Sequence, residues 1–160
     1  MKTVTLLCVG KLKEAYWRDA VAEYQKRLAA FCKFEIVEID ECRLPDNPSA
    51  AQIEKALEIE GKAILAKIPA GAAVMPLCIE GKPLSSPDLS ALLQKWAVEG
   101  RSKTVCIIGS SFGLSPAVKA AATFKLSMSP MTFPHQLARV MLCEQLYRAM
   151  QIEAGGKYHK

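Results

Sequence analysis

Residues Thr104 to Pro116 read TVCIIGSSFGLSP, and the fold turns on them. Thr104 to Ile108 is a short apolar, β-favouring run of the kind found in strands buried on both faces. It leads into a turn from Gly109 to Gly113, then Leu114, Ser115 and a helix opening at Pro116. Where a buried strand gives way to a helix, glycine lets the backbone come close to a ligand, and open parallel sheets bind their ligands at such edges. The same turn also reads as a tight connection that needs small residues for steric reasons. Neither the dinucleotide GxGxxG nor the P-loop GxxxxGK[ST] pattern is present to decide between the two.

Toward the N-terminus the same alternation repeats. Further strand candidates are Thr3 to Val9, Phe34 to Ile39 and Ala73 to Ile79, and a weaker one follows at Lys125 to Met128. Between them lie segments of helical period: Glu14 to Ala30, Ser49 to Lys67 with Ser49 as cap, and Pro87 to Val98 with Ser86 as cap and proline in the first turn. This βαβα order predicts an α/β fold, a mostly parallel sheet covered by helices on both faces. The segment DECRLPDNP, Asp40 to Pro48, interrupts the pattern with two prolines and three acids and reads as a mobile loop. No repeat, low-complexity tract or linker divides the chain, so residues 1–160 are expected to form one domain.

Toward the C-terminus comes LSMSPMTFPHQLAR, Leu126 to Arg139, in which Pro130 and Pro134 bar a regular helix or strand. Its irregular backbone needs hydrogen-bond partners, and a ligand with amide-like edges such as adenine supplies them; a proline-stiffened connection is the plainer reading. A last helix follows from about His135 to Glu153. It carries Leu137, Val140, Met141 and Tyr147, with Leu142, Cys143 and Leu146 besides, more apolar surface than one face against a sheet requires. Burial on two sides accounts for that, either within one monomer or by the parent sheet and a second subunit.

Composition bounds the rest. With 51% apolar and 23% charged residues the chain is an ordinary globular protein. The apolar run from Val4 to Val9 is too short for a signal-peptide core or a membrane span, which points to a soluble, unexported protein with no membrane partner. Six cysteines, none in CxxC or Cys/His metal spacing, read as reduced core thiols, as in the cytoplasm. The net charge of +5, from 21 Lys and Arg against 16 Asp and Glu, permits a polyanionic partner without requiring one.

Five stretches together carry a family resemblance: MKTVTLLCVGK at the start, EGKPLSSPDL, IIGSSFGLSP, MTFPHQLARVMLCEQLYRAMQI and the terminal KYHK. They resemble the SPOUT methyltransferases, and within them the ribosomal RNA large subunit methyltransferase H family, which methylates N3 of a pseudouridine in 23S ribosomal RNA. The resemblance implies a deep trefoil knot in the C-terminal part, S-adenosyl-L-methionine as methyl donor, no metal, and a homodimer acting on RNA, by resemblance within the 70S ribosome. Carried onto this chain, the donor-binding positions are Leu77 after the third strand, Gly109 in the glycine turn, and Met128, Ser129, Pro130, Met131, Thr132 and Phe133 before the last helix. The chain departs from the family at Ser110, where a second glycine is usual, and at Lys160, where relatives commonly carry arginine after YH. A side chain at 110 restricts positive φ, so the turn is either rearranged or lends its hydroxyl to the site.

Methylation of N3 needs the base oriented and its ring proton removed. His135, at the start of the last helix, is the first candidate to accept that proton, with holding the loop as its structural alternative. Arg139, one turn later, is a candidate for an RNA phosphate or the base, against an ion pair; Tyr158 and His159 are candidates to stack on or hydrogen-bond the target, against a frayed end. Glu144 and Arg148, at i,i+4 spacing, are expected in an ion pair, intrahelical or interfacial. Lys11, Lys13 and Arg18 read equally as RNA surface and as solvated charge. A non-catalytic RNA-binding protein that keeps the fold but has lost the donor is the alternative, and Ser110 is its best support.

Overall fold

The computed structural model describes residues Met1–Lys160. Ten elements follow one another: β1 (Thr3–Val9), α1 (Ala15–Leu28), β2 (Lys33–Ile39), α2 (Ala50–Ala66), β3 (Ala73–Pro83), α3 (Ser86–Val98), β4 (Lys103–Ile108), α4 (Pro116–Ala120), β5 (Leu126–Ser127) and α5 (His135–Glu153). The five strands form one sheet in the order β2-β1-β4-β3-β5, and every pairing is parallel.

The strand sequences lack the polar/apolar alternation of a half-exposed sheet because both faces are covered. Successive side chains point to opposite sides, so Val4, Leu6 and Cys8 of β1 and Cys106 and Ile108 of β4 enter a core of 19 buried residues shared with α1, α3 and α5. Leu7 and Val9, with Val105 and Ile107, enter a second core of 11 residues with Ile64 of α2 and Val118 of α4. Helices thus lie on both faces, as the pattern predicts. No helix is long and apolar enough to cross a membrane. All six cysteines are free thiols and only Cys42 is not fully buried; burial pushes Cys8 and Cys143 up to about 12, which leaves them protonated and inert.

Helix starts are set locally. Ser49 accepts from Gln52 N–H at 3.1 Å while the Gln52 side chain accepts from Ser49 N–H at 2.8 Å, a reciprocal capping box. For α3 the cap is Ser85 rather than the expected Ser86: Ser85 Oγ accepts from Asp88 N–H at 3.2 Å, and Ser86 instead donates its hydroxyl to Gln145 of α5 at 2.5 Å. Strand β3 also runs further than its apolar stretch, to Pro83 instead of Ile79. Its register with β4 ends at Pro76, and beyond that it pairs with β5 at Leu77, Lys82 and Pro83 across an irregularity. Leu77 therefore lies inside β3, at the residue where that strand parts from β4, and the gap so opened is where the site forms. The Asp40 to Pro48 segment has no regular structure, but the Cys42 N–H donates to Glu60 of α2 at 2.9 Å.

Candidate functional site

A cavity of about 670 Å³ opens at the carboxyl end of β4 and beside β3 from Leu77 to Glu80, between the glycine turn and the loop before α5. Its size falls within the roughly 300–1,000 Å³ typical of small-molecule sites. Of the positions expected to hold a donor, Leu77, Gly109, Met128, Ser129, Met131, Thr132 and Phe133 line it, and Pro130 does not. His135 and Ala138 of α5 line it as well.

The glycine turn is closed by its own backbone. Gly113 N–H donates to Ser110 O at 2.9 Å, and Gly113 takes φ +90°, open to glycine and rarely to other residues. A β-carbon on Gly109 would lie 2.3 Å from Gly113 O. Gly109 is therefore required by the turn itself, the steric reading of the sequence, and the ligand meets a turn that is already formed. Ser110 needs no rearrangement, because no residue other than glycine has positive φ. Its side chain is buried; the hydroxyl oxygen accepts from Phe112 N–H at 3.4 Å, and the hydroxyl itself leans on the Glu60 carboxylate. Burial raises the Glu60 pKa above its ordinary value, against the pull of the Cys42 N–H and the Ser110 hydroxyl.

The loop from Met128 to Pro134 is more exposed than a buried-backbone reading implies: Pro130, Met131, Thr132 and Pro134 all face solvent. From Ser129 to Phe133 no backbone N–H donates to another backbone group; the Met131 N–H goes to Ser129 Oγ at 2.9 Å. Helix α5 then starts without a side-chain cap. The site thus offers unpaired main-chain donors and acceptors beside the apolar walls of Leu77, Ile108, Leu114 and Met128, a combination that suits a planar heterocycle joined to an apolar thioether-like chain. At the mouth, Lys119 pairs with Glu80 at 2.7 Å, and that hydrogen bond, more than any other influence, lowers the Glu80 pKa.

The remaining predicted residues stand elsewhere. Arg139 is 3% exposed and donates to Glu38 Oε2 at 2.9 Å and to Gly10 O at 3.1 Å, with its Nε unpartnered. It faces a separate cavity of about 290 Å³ beside β2 and ties the second turn of α5 to the ends of β1 and β2. The tail is docked, not frayed. Tyr158 donates to Glu144 Oε1 at 3.0 Å and packs on Tyr147 with ring centres 4.8 Å apart, while Arg148 lies over the Tyr158 ring and 3.3 Å from His159 Nδ1. The Glu144–Arg148 pair forms as expected, Nε to Oε1 at 3.0 Å.

Sequence reasoning missed Glu60 and Lys119. The signal for Glu60 was a carboxylate on the buried stripe of α2, between Ala56 and Ile64 at helical spacing. Burial, and after it the bond to Glu144, pushes the Tyr158 phenol up to about 12. A phenol whose folded pKa lies above its unfolded value holds its proton more tightly when folded, so its stabilising contribution is present below pH about 10 and is lost as pH rises through about 12. In an alkaline absorbance titration, Tyr158→Phe is expected to remove a tyrosine step near pH 12; if that step persists, the tail is not docked in solution.

This chain belongs to the SPOUT methyltransferase family, whose model, described as a predicted SPOUT methyltransferase, matches residues 1–159. The methyltransferases of this class use S-adenosylmethionine. Solved structures of similar fold include a probable methyltransferase from Bordetella pertussis Tohama I, at 14% identity and TM-score 0.53, covering 93% of this chain and 96% of that one. Another is a probable methylase family protein from Haemophilus influenzae Rd KW20, at 10% identity and TM-score 0.50, covering 99% of this chain and 70% of that one.

Proposed function

We propose that the protein transfers a methyl group from S-adenosylmethionine to N3 of a pseudouridine in 23S ribosomal RNA, on the assembled ribosome, as a homodimer. The observation that carries the reading is the cavity itself: the segments that the family resemblance marks for the donor converge on it from β3, the glycine turn and the pre-α5 loop. The resemblance of TFPHQLARVMLCEQLYRA and KYHK to one family of RNA methyltransferases supports the substrate, and also brings with it the trefoil knot. When bound, the donor supplies a methyl already activated on sulfonium. Leu77, Met128 and Phe133 hold its apolar parts, and the free main-chain groups from Ser129 to Phe133 read its polar edge. His135, at the cavity wall, takes the N3 proton on an imidazole nitrogen.

The dimer is supported by what one chain lacks. Tyr158 rests on Glu144, nine residues and roughly 13 Å along α5 from His135, so the tail of a chain stands away from its own cavity and is available to another's. Leu137 and Met141 of α5 are half-exposed and belong to neither core, as expected of a helix that meets a second subunit. Against the non-catalytic alternative stands the ordinary φ of Ser110, which leaves the turn unstrained.

Purified ribosomes from a strain lacking the gene are the test substrate, with labelled S-adenosylmethionine and mapping of the modified nucleotide. Label at N3 of a 23S pseudouridine is the expected result. Donor binding in calorimetry without label on ribosomes refutes the substrate, and absence of donor binding refutes the enzyme.

A further inference from the structure

Phe112 is 46% exposed and Met131 is 73% exposed, although both are large apolar side chains and both line the cavity. Their main chains are held: each N–H bonds to the hydroxyl of the serine two residues earlier, Phe112 to Ser110 and Met131 to Ser129. The turn itself is closed between Ser110 and Gly113, whose N–H donates to Ser110 O at 2.9 Å. An aromatic ring presented to solvent from a fixed turn at the edge of a binding cavity is a platform, since its position costs little further ordering when something stacks on it.

We propose that Phe112, with Met131 beside it, is the stacking surface that receives the planar base to be methylated. The inference rests on the RNA-methylation reading above. The occupant follows from charge and position. The carboxylate at the cavity mouth, Glu80, is neutralised by Lys119 at 2.7 Å, and the chain carries a net charge of +5, so a polyanion meets no local repulsion. A base to be methylated must lie against the donor for in-line transfer, which puts it at this mouth. It must also leave its own stack, and single bases splayed from RNA are held on aromatic faces.

The test compares wild type with Phe112→Ala, Phe112→Trp and Met131→Ala. Removing a base-stacking ring weakens binding by about 5- to 150-fold. Phe112→Ala is therefore expected to raise the KM for ribosomes by that factor and to raise the Kd for a fluorescent mixed-sequence single-stranded oligoribonucleotide alike. Phe112→Trp restores both, Met131→Ala gives a smaller rise, and the donor Kd of the two Phe112 variants in calorimetry stays within a few-fold. An unchanged oligonucleotide Kd in Phe112→Ala, or no oligonucleotide binding by wild type, overturns the platform. A sedimentation shift from dimer to monomer in Phe112→Ala overturns it also, by assigning the ring to a subunit contact. A weakened oligonucleotide Kd with no methyl transferred to ribosomes by wild type supports the platform and refutes only the ribosomal substrate.

Discussion

Arg139→Ala is expected to lose about 3 kcal/mol of stability, and Arg139→Met less than about 1 kcal/mol, in urea unfolding followed by circular dichroism. The two differ because of what surrounds the guanidinium. Alanine leaves a void at a position 3% exposed and takes the only side-chain donor from Gly10 O. Loss of the ion pair adds less than for a fully buried partner, because the Glu38 side chain is 37% exposed and its carboxylate rehydrates. Methionine fills most of the volume with apolar atoms and removes the unpartnered Nε, a group whose desolvation costs about 1–3 kcal/mol. The pair of variants also separates the two roles that the sequence left open for Arg139. A residue that only ties α5 to β1 and β2 leaves methyl transfer in Arg139→Met within about tenfold of wild type. A residue that grips phosphate does not, since methionine cannot replace a guanidinium fork; a loss beyond a hundredfold, with stability intact, returns Arg139 to the RNA.

What the sequence could reveal follows from the range of each interaction. Strands β1 and β4 are legible because burial on both faces makes them continuous apolar runs, and α5 because its apolar residues exceed one face. The far end of β3 is not, since Glu80, Gly81 and Lys82 carry no apolar pattern and only Lys82 and Pro83 there pair with the two-residue β5. The α3 cap slips by one residue because Ser85 and Ser86 are equally good caps and proline is tolerated at either of the first two helical positions; contact of Ser86 with Gln145, 59 residues away, decides it. The site divides in the same way. Two of the three loops that line the cavity were legible through glycine and proline, which act locally, while Leu77 came only with the family resemblance. The partner of Arg139 lies 101 residues upstream in β2, and the docking of Tyr158 depends on how far the tail doubles back on α5. Neither leaves a mark on local spacing.

The largest functional effect is expected at Gly109. In Gly109→Ala the new β-carbon would stand 2.3 Å from Gly113 O, 2.7 Å from Gly113 C and 2.9 Å from Leu114 Cδ2. Two of the three are main-chain atoms of the same turn, so no side-chain rotation relieves the clash and the turn must open. Opening it breaks the Gly113-to-Ser110 hydrogen bond, and with overpacking of about 1–3 kcal/mol the loss of stability is expected to be about 3 kcal/mol. It also displaces a wall of the cavity, so donor affinity in calorimetry is expected to fall by about a hundredfold, or ~2.7 kcal/mol. Ser110→Gly is the control one residue on. It recreates the glycine pair expected of relatives, but Ser110 already has an ordinary φ, so nothing strained is relieved. It removes the hydroxyl that accepts from Phe112 N–H and leans on Glu60, and it adds chain freedom to the unfolded state, together about 1–2 kcal/mol. Donor affinity is expected to stay within a few-fold, because the main-chain path is unchanged. The reverse order of effects, with Ser110→Gly tightening the donor and Gly109→Ala leaving it alone, means that the donor does not rest on this turn. The common cause in the expected order is that the turn reads its residues through backbone closure: a β-carbon is excluded at 109, where it meets the turn's own carbonyl, and admitted at 110, where φ is negative and a buried carboxylate is waiting for the hydroxyl.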